Sequence, residues 1–305
     1  MILVTGASGL LGANFVFAAQ QRHESLVAVY HQHVIHIPGV DSVQADLTNS
    51  VLANELAQFF RPKWIVHCAA LTNVDCCEER LEEAWQVNVQ MSRNLATAAQ
   101  RVGAGIVYIS TDSVFDGKAG NYSESDIPMP VNVYAKSKLA GEQAVQSEVK
   151  HSLLIRTNIY GWNAREKLSL AEWILDQLET GRLIVSFYDV VFTPILVNDV
   201  SEIILDMIER QLGGLYHVAA SEACSKYEFA VQLADVFGLD EQLVRPASIA
   251  DSALTAPRPR NTSLRTDKVS KALGRPMPDV KSGLRRLKAL RDSGFVRQLK
   301  ATKGV

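Results

Sequence analysis

Apolar residues along this chain follow two alternating periods. Ile2–Thr5, Leu26–Tyr30, Trp64–His67, Gly105–Ser110 and His151–Arg156 are short runs with three or more apolar or β-branched residues, the near-continuous pattern of strands buried on both faces. Ser42–Ala45 reads as a weaker third strand. Between the runs lie stretches of helical character, among them Ala13–Gln20 and Leu81–Gln100. Parallel neighbours need crossover connections, so the alternation predicts an α/β fold with a doubly wound parallel sheet.

After about residue 160 the pattern loosens into a helix near Lys167–Thr180, a strand Leu183–Ser186, a helix from Asn198, a strand Gly214–His217 and a helix Lys226–Phe237. Ala247–Thr262, rich in Pro, Ala, Ser and Arg, reads as an irregular loop. A short helical region and a basic tail from Lys281 follow, the tail read as a solvated helix face. The expected division is one domain over 1–160 and a smaller α/β lobe over 161–305, partly interleaved with it.

Composition narrows the classes. Of 305 residues 47% are hydrophobic, with only 18 glycines and 10 prolines, which excludes a disordered or low-complexity chain. A net charge of -2 argues against nucleic-acid or membrane-surface binding through bulk electrostatics. No apolar run reaches the roughly 18 residues of a membrane span, and the chain opens on a strand-like run, so no signal peptide is expected. The four cysteines, Cys68, Cys76, Cys77 and Cys224, form no C-x-x-C pair. Free thiols in a reducing cytoplasm are expected, with no metal site.

Candidate chemistry begins directly after the first run. Thr5-Gly6-Ala7-Ser8-Gly9-Leu10-Leu11-Gly12 leads into a helix, and such a turn lets backbone approach a pyrophosphate at a helix N-terminus. Gly6, Ser8, Gly9, Leu10, Leu11 and Gly12 are therefore candidate cofactor contacts. The end of the second strand reads Val29-Tyr30-His31-Gln32-His33. The acid that holds a ribose 2′-hydroxyl in NAD-binding proteins is missing there, so NADP(H) is expected over NAD(H), with His31 beside it. Asp46 and Leu47 follow the third strand; Asp46 would accept from the adenine amino group or cap the next helix.

Tyr134 and Lys138 are spaced to share one helix face, and no other tyrosine in the chain has a lysine four positions on. Thr111 lies at the end of the strand run upstream, where a doubly wound sheet faces its ligand crevice. A free phenol exchanges protons poorly at neutral pH, and a neighbouring ammonium favours phenolate. In ketone reduction Tyr134 would give its proton to the carbonyl oxygen, Lys138 would tune Tyr134 and hold the cofactor ribose, and Thr111 would orient the carbonyl.

With His67-Cys68-Ala69-Ala70 and Ser110-Thr111-Asp112, these residues make the chain resemble the extended short-chain dehydrogenase/reductases. Leu71-Thr-Asn-Val-Asp75, Val114-Phe-Asp-Gly117, Lys138-Leu-Ala-Gly-Glu142 and Arg258-Pro-Arg-Asn-Thr-Ser-Leu-Arg-Thr-Asp-Lys268 resemble the dTDP-4-dehydrorhamnose reductase branch. The resemblance spans nearly the whole chain. It implies a Rossmann domain with a C-terminal substrate lobe, a nicotinamide cofactor and reduction of a nucleotide-linked 4-keto-6-deoxy sugar. By the same likeness Cys68, Ala69, Ala70 and Thr72 border the cofactor, Ser113 and Asn158 the substrate, and the segment after Arg156 closes over the nicotinamide. Arg258 and Arg260 are candidates for the substrate diphosphate, since a forked guanidinium suits it.

Two departures fall in the sugar pocket. Ser113 stands where rhamnose-forming reductases usually carry an aromatic residue, and Val190-Val191-Phe192 stands where they carry Gln-Tyr-Gly. The partner expected is a nucleotide-sugar, with no nucleic acid or membrane, and a homodimer is compatible with the reading. Two alternatives remain at this level. One is an NADP-binding regulatory subunit without turnover, similar to that of methionine adenosyltransferase; the other is a nucleotide-sugar epimerase or dehydratase.

Overall fold

A computed structural model describes residues 1–252 and 254–303. Six strands, β1 (Ile2–Thr5), β2 (Leu26–Tyr30), β3 (Asp41–Gln44), β4 (Trp64–His67), β5 (Gly105–Thr111) and β6 (Ser152–Thr157), pair in the order 3-2-1-4-5-6, with Gly214–His217 as a seventh strand outside β6. Every pairing is parallel. This is the doubly wound arrangement whose strand order reverses between β1 and β4, where a crevice opens at the carboxyl ends.

Strand alternation divides the core between the two faces of the sheet. Ile2, Val4, Val66 and Val107 point to one side, onto α1 (Leu10–Gln21), while Leu3, Ile65, Ile106 and Tyr108 point to the other. That second face is covered by α2 (Ser50–Phe60), which follows β3, and by later helices of the first 150 residues. The stretch read as one helix over Leu81–Gln100 is broken in a definite way. After a short helix, α3 (Val74–Glu79), come α4 (Leu81–Trp85), a π-helical turn at Gln86–Gln90 and α5 (Met91–Val102). A π turn widens the helix locally and is common beside functional sites.

The remainder of the chain begins after α6 (Val133–Glu148) and β6. Its helix α7 (Leu170–Glu179) is followed by α8 (Val197–Glu209), which packs on α1. Gly214–His217 then joins the main sheet. Three two-stranded pairings support the outer part: Ile184–Phe187 with Val244–Ala247, Val191–Phe192 with Cys224–Ser225, and Ile159–Tyr160 with Ile195–Leu196. Helices α9 (Lys226–Phe237), α10 (Asp267–Leu273), α11 (Val280–Asp292) and α12 (Phe295–Lys300) complete it.

The basic tail differs from a solvated face. Val280, Leu284 and Leu287 of α11 are buried, the Trp162 indole donates to the Leu287 carbonyl at 2.9 Å, and Phe295 of α12 packs edge-on to Phe17 of α1 at 5.5 Å. The chain end returns to the first domain, where the His36 N–H donates to the Thr302 carbonyl at 2.7 Å. Among the described residues no helix is long and apolar enough to cross a membrane.

Candidate active site

The glycine turn is set by two close approaches. Gly6 has φ +62°, and a Cβ there would lie 2.6 Å from the Ala69 nitrogen; a Cβ on Gly12 would lie 2.2 Å from the Gly6 carbonyl oxygen. Only glycine lets β1 turn tightly beneath α1 and against the segment after β4. Helix α1 starts at Gly9 with no side-chain cap, so N–H groups of its first turn are left without an acceptor beside a cavity of about 510 Å³ bordered by Gly6, Ser8 and Gly9. That donor set, at the positive end of the helix dipole, fits a dinucleotide diphosphate.

The rest of this first cavity is the floor expected for an adenosine and its ribose. It is bordered by Tyr30, His31 and His33 from the end of β2, by Asp46 and Leu47 after β3, and by Cys68, Ala69 and Ala70 after β4. Asp46 does not cap α2. Its Oδ1 accepts from the Thr48 N–H at 3.0 Å and the Thr48 hydroxyl at 2.7 Å, while Asn49 caps the helix through the Val51 N–H. The Thr48 hydroxyl is the main cause holding the Asp46 carboxyl below the usual range. Gly12 borders neither this cavity nor the next; its place is in the packing of α1 on β1.

A second cavity, of about 410 Å³, shares Gly9, Cys68, Ala70 and Arg165 with the first. Leu10, Leu11, Thr72, Thr111, Ser113, Tyr134, Lys138 and Asn158 all border it. The fold brings them together from the ends of β1, β4, β5 and β6 and the start of α6. Asn132 caps α6 by accepting from the Ala135 N–H at 2.9 Å and donates to the Pro257 carbonyl at 2.9 Å. Glu78 accepts from the Val133 N–H at 2.8 Å and so anchors the first turn of α6. From the π turn, Asn88 holds both polar groups of Leu71 and donates to the Ser137 hydroxyl at 2.9 Å.

Electrostatics correct one expectation. Burial, the largest influence, pushes the Tyr134 phenol well above its ordinary value, with the Thr111 hydroxyl acting in the opposite sense. Lys138 does not draw it down towards phenolate. Burial lowers Lys138 itself to about 7, partly offset by Glu142 and Cys68, and its Nζ lies 4.2 Å from the centre of the Tyr108 ring. His67, between the Thr5 and Ser92 hydroxyls at 2.8 and 3.0 Å, is held down to about 3 by burial and is therefore a neutral packing group at pH 7. Cys68 is pushed up to about 12 by burial, so its thiol is inert.

Asp112, buried behind Thr111, organises the part of the second cavity next to Ser113 and Asn158. Its Oδ2 accepts from Asn158 at 2.8 Å and from Thr262 at 2.6 Å, and its Oδ1 from Thr111 and Ser113 at 3.2 Å. Arg258 and Arg260 lie outside both cavities. Arg258 is bonded to Asp75 at 2.8 Å and Arg260 stands 3.8 Å from Asp189, so the first is a tie between its loop and α3. The guanidinium that does reach the cleft is that of Arg165, from Trp162-Asn-Ala-Arg-Glu-Lys167, a segment with no motif to single it out. The roles of Asn88 and Asp112 also escape a reading of spacing alone, because Ser137, Asn158 and Thr262 are distant in sequence; Asn163 bonds within nine residues but sits in no motif.

The strand order, the glycine turn and a cleft holding Thr111, Tyr134 and Lys138 define an extended short-chain dehydrogenase/reductase, a class of NAD(P)-dependent oxidoreductases. Within it, the chain belongs to the RmlD substrate binding domain family, whose model matches residues 1–291. It is 31% identical over 292 residues to the "probable low-salt glycan biosynthesis reductase Agl14" of Haloferax volcanii, covering 94% of this chain and 96% of the relative. It is 35% identical over 288 residues to methionine adenosyltransferase 2 subunit beta of Pongo abelii, covering 88% and 81%. Its fold superposes on dTDP-4-dehydrorhamnose reductase of Bacillus anthracis, solved in complex with NADP, with a TM-score of 0.84 at 29% identity over 94% of this chain and 98% of that one.

Proposed function

We propose that the protein reduces the ketone of a nucleotide-linked 4-keto-6-deoxy sugar, with NADPH preferred over NADH. The observation that carries this reading is the convergence of Thr111, Tyr134 and Lys138 on one cavity that shares Gly9, Cys68, Ala70 and Arg165 with the glycine-turn cavity.

A reduced nicotinamide supplies the hydride when bound. Tyr134 delivers the proton to the carbonyl oxygen, and its elevated phenol keeps that proton in place until charge develops on the oxygen. Thr111, turning its hydroxyl proton from Asp112 Oδ1, donates a hydrogen bond to the same oxygen and orients it. Lys138, one turn along the helix, would hold the cofactor ribose and, when protonated, stabilise the phenolate that the departing proton leaves. Asp112 fixes Asn158 and Ser113 at the sugar side. The first-turn N–H groups of α1 hold the cofactor diphosphate, and the absence of an acid at the end of β2 leaves room for a 2′-phosphate.

Tyr134→Phe should lower kcat for ketone reduction by 10²–10⁴-fold while cofactor binding, read by fluorescence titration, stays within about twofold. Unchanged turnover would remove Tyr134 from the chemistry. The likeness to the methionine adenosyltransferase subunit supports a second, regulatory reading. Bound NADP(H), no reduction across a panel of keto-sugar nucleotides, and a co-purifying partner enzyme would favour it.

A further inference from the structure

Arg165 is the guanidinium common to both cavities, and it is held there by the chain. The Arg165 N–H donates to Asn163 Oδ1 at 3.1 Å while Asn163 Nδ2 donates to the Lys167 carbonyl at 2.8 Å. One amide thus braces the loop at both ends. Asn163 is itself fixed by Glu172, which accepts from the Asn163 N–H at 3.1 Å and from Ser169 at 2.9 Å. On the far side, Glu166 pairs with Lys303 at 3.3 Å, and Lys303 bridges to Ile35, two residues beyond His33. Three segments remote in sequence, namely the end of β2, the loop 163–167 and the chain terminus, therefore meet over the adenosine end of the cleft.

The partner that Arg165 finds there is unusual. Among the described residues no carboxylate pairs with it, and its side-chain hydrogen bond runs to His33 Nε2. A guanidinium beside an imidazole is a contact between two basic groups. Burial and the neighbouring guanidinium hold His33 below the ordinary histidine value, and burial lowers Arg165 too. His31 borders the same cavity. Of the acids bordering this cavity, Asp46 is engaged by Thr48 and Glu83 by Arg80. Such a cluster, at the rim where a ribose next to β2 would lie, is complementary to a dianion.

We propose that Arg165, presented by the Asn163-braced loop and backed by His33, binds the 2′-phosphate of the cofactor adenosine and is the residue that discriminates NADPH from NADH. The inference rests on the cofactor preference given above but not on the sugar substrate. It locates the discriminating group in the loop after β6, not at the end of β2.

The test is equilibrium binding to the full-length protein, with NADPH, NADH and the fragments 2′,5′-ADP and 5′-AMP as probes. Arg165→Ala should weaken NADPH and 2′,5′-ADP about tenfold or more, the loss of one charge-assisted contact, with NADH and 5′-AMP changed less than twofold. Arg165→Lys should recover part of the difference. Equal weakening of phosphorylated and unphosphorylated probes would make Arg165 a general clamp on the nucleotide and overturn the assignment. So would wild-type protein that binds the two classes equally, or a variant that binds all four as before. Loss of keto-sugar reduction does not enter these readouts, so failure of the proposed substrate leaves the test intact.

Discussion

Lys138 is 3% exposed, and burial holds it near 7, against an ordinary value of 10.5. Between about pH 7 and pH 10 the unfolded chain therefore carries a proton on this side chain that the folded chain lacks. The Lys138 contribution to stability rises with pH across that window, by at most about 1.4 kcal/mol per unit for one proton. Below about 7 the full cost of a buried ammonium applies. Lys138→Met should be more stable than wild type at pH 6.5, with the advantage shrinking as pH rises to 9, as urea denaturation at a series of pH values would show. Lys226, lowered to about 8 by burial, contributes a slope of the same sign in both proteins and cancels in the difference. Parallel stability curves would mean that Lys138 keeps its proton throughout.

Helix α6 carries Tyr134 and Lys138, and its seat on β5 depends on a residue with no side chain. A Cβ on Gly141 would lie 2.2 Å from the Tyr108 hydroxyl oxygen and 2.5 Å from the Asn88 carbonyl oxygen. Tyr108 donates to the Lys138 carbonyl at 3.2 Å, so the ring is fixed by the helix it supports. Gly141→Ala should cost about 1–3 kcal/mol through overpacking and lower kcat more than it raises KM, because Tyr134 and Lys138 move with the helix. A variant with wild-type stability and kcat would show that the contact relaxes without moving α6. The neighbouring Gly-Glu step reads as helix from its sequence, but its reason is tertiary. Glu142 is bonded to Arg156 at 2.9 and 2.8 Å across the core, and a removed partner would leave a buried charge uncompensated.

The whole molecule is more entangled than its sequence boundaries suggest. Gly214–His217 completes the sheet begun by β1, α8 lies on α1, and α12 docks back on Phe17. We expect unfolding in a single cooperative transition, with fluorescence and circular dichroism coincident. Phe295→Ala should lower stability by about 3 kcal/mol or more without splitting the transition. Two separated transitions would identify the residues after 160 as an independently folding unit. The rim of the cleft belongs to this scale too, since Arg165 meets His33 across it while Lys303 reaches both Glu166 and the backbone at Ile35.

What the sequence by itself determined is whatever depends on local pattern. Near-continuous apolar runs and helical runs set the alternating elements, the Gly6–Gly12 turn set the tight bend between β1 and α1, and the Tyr134–Lys138 spacing placed both groups on one helix face. Each rests on residues within one turn or one strand of each other, where covalent geometry makes spacing equivalent to position. Tertiary structure alone decided the protonation of Tyr134 and Lys138, since burial outweighs the attraction that spacing suggests. It also took Arg258 to Asp75, 183 residues away, and brought Arg165 across 132 residues to His33. Such pairings follow from the order of strands and the path of the terminus, which no local pattern encodes.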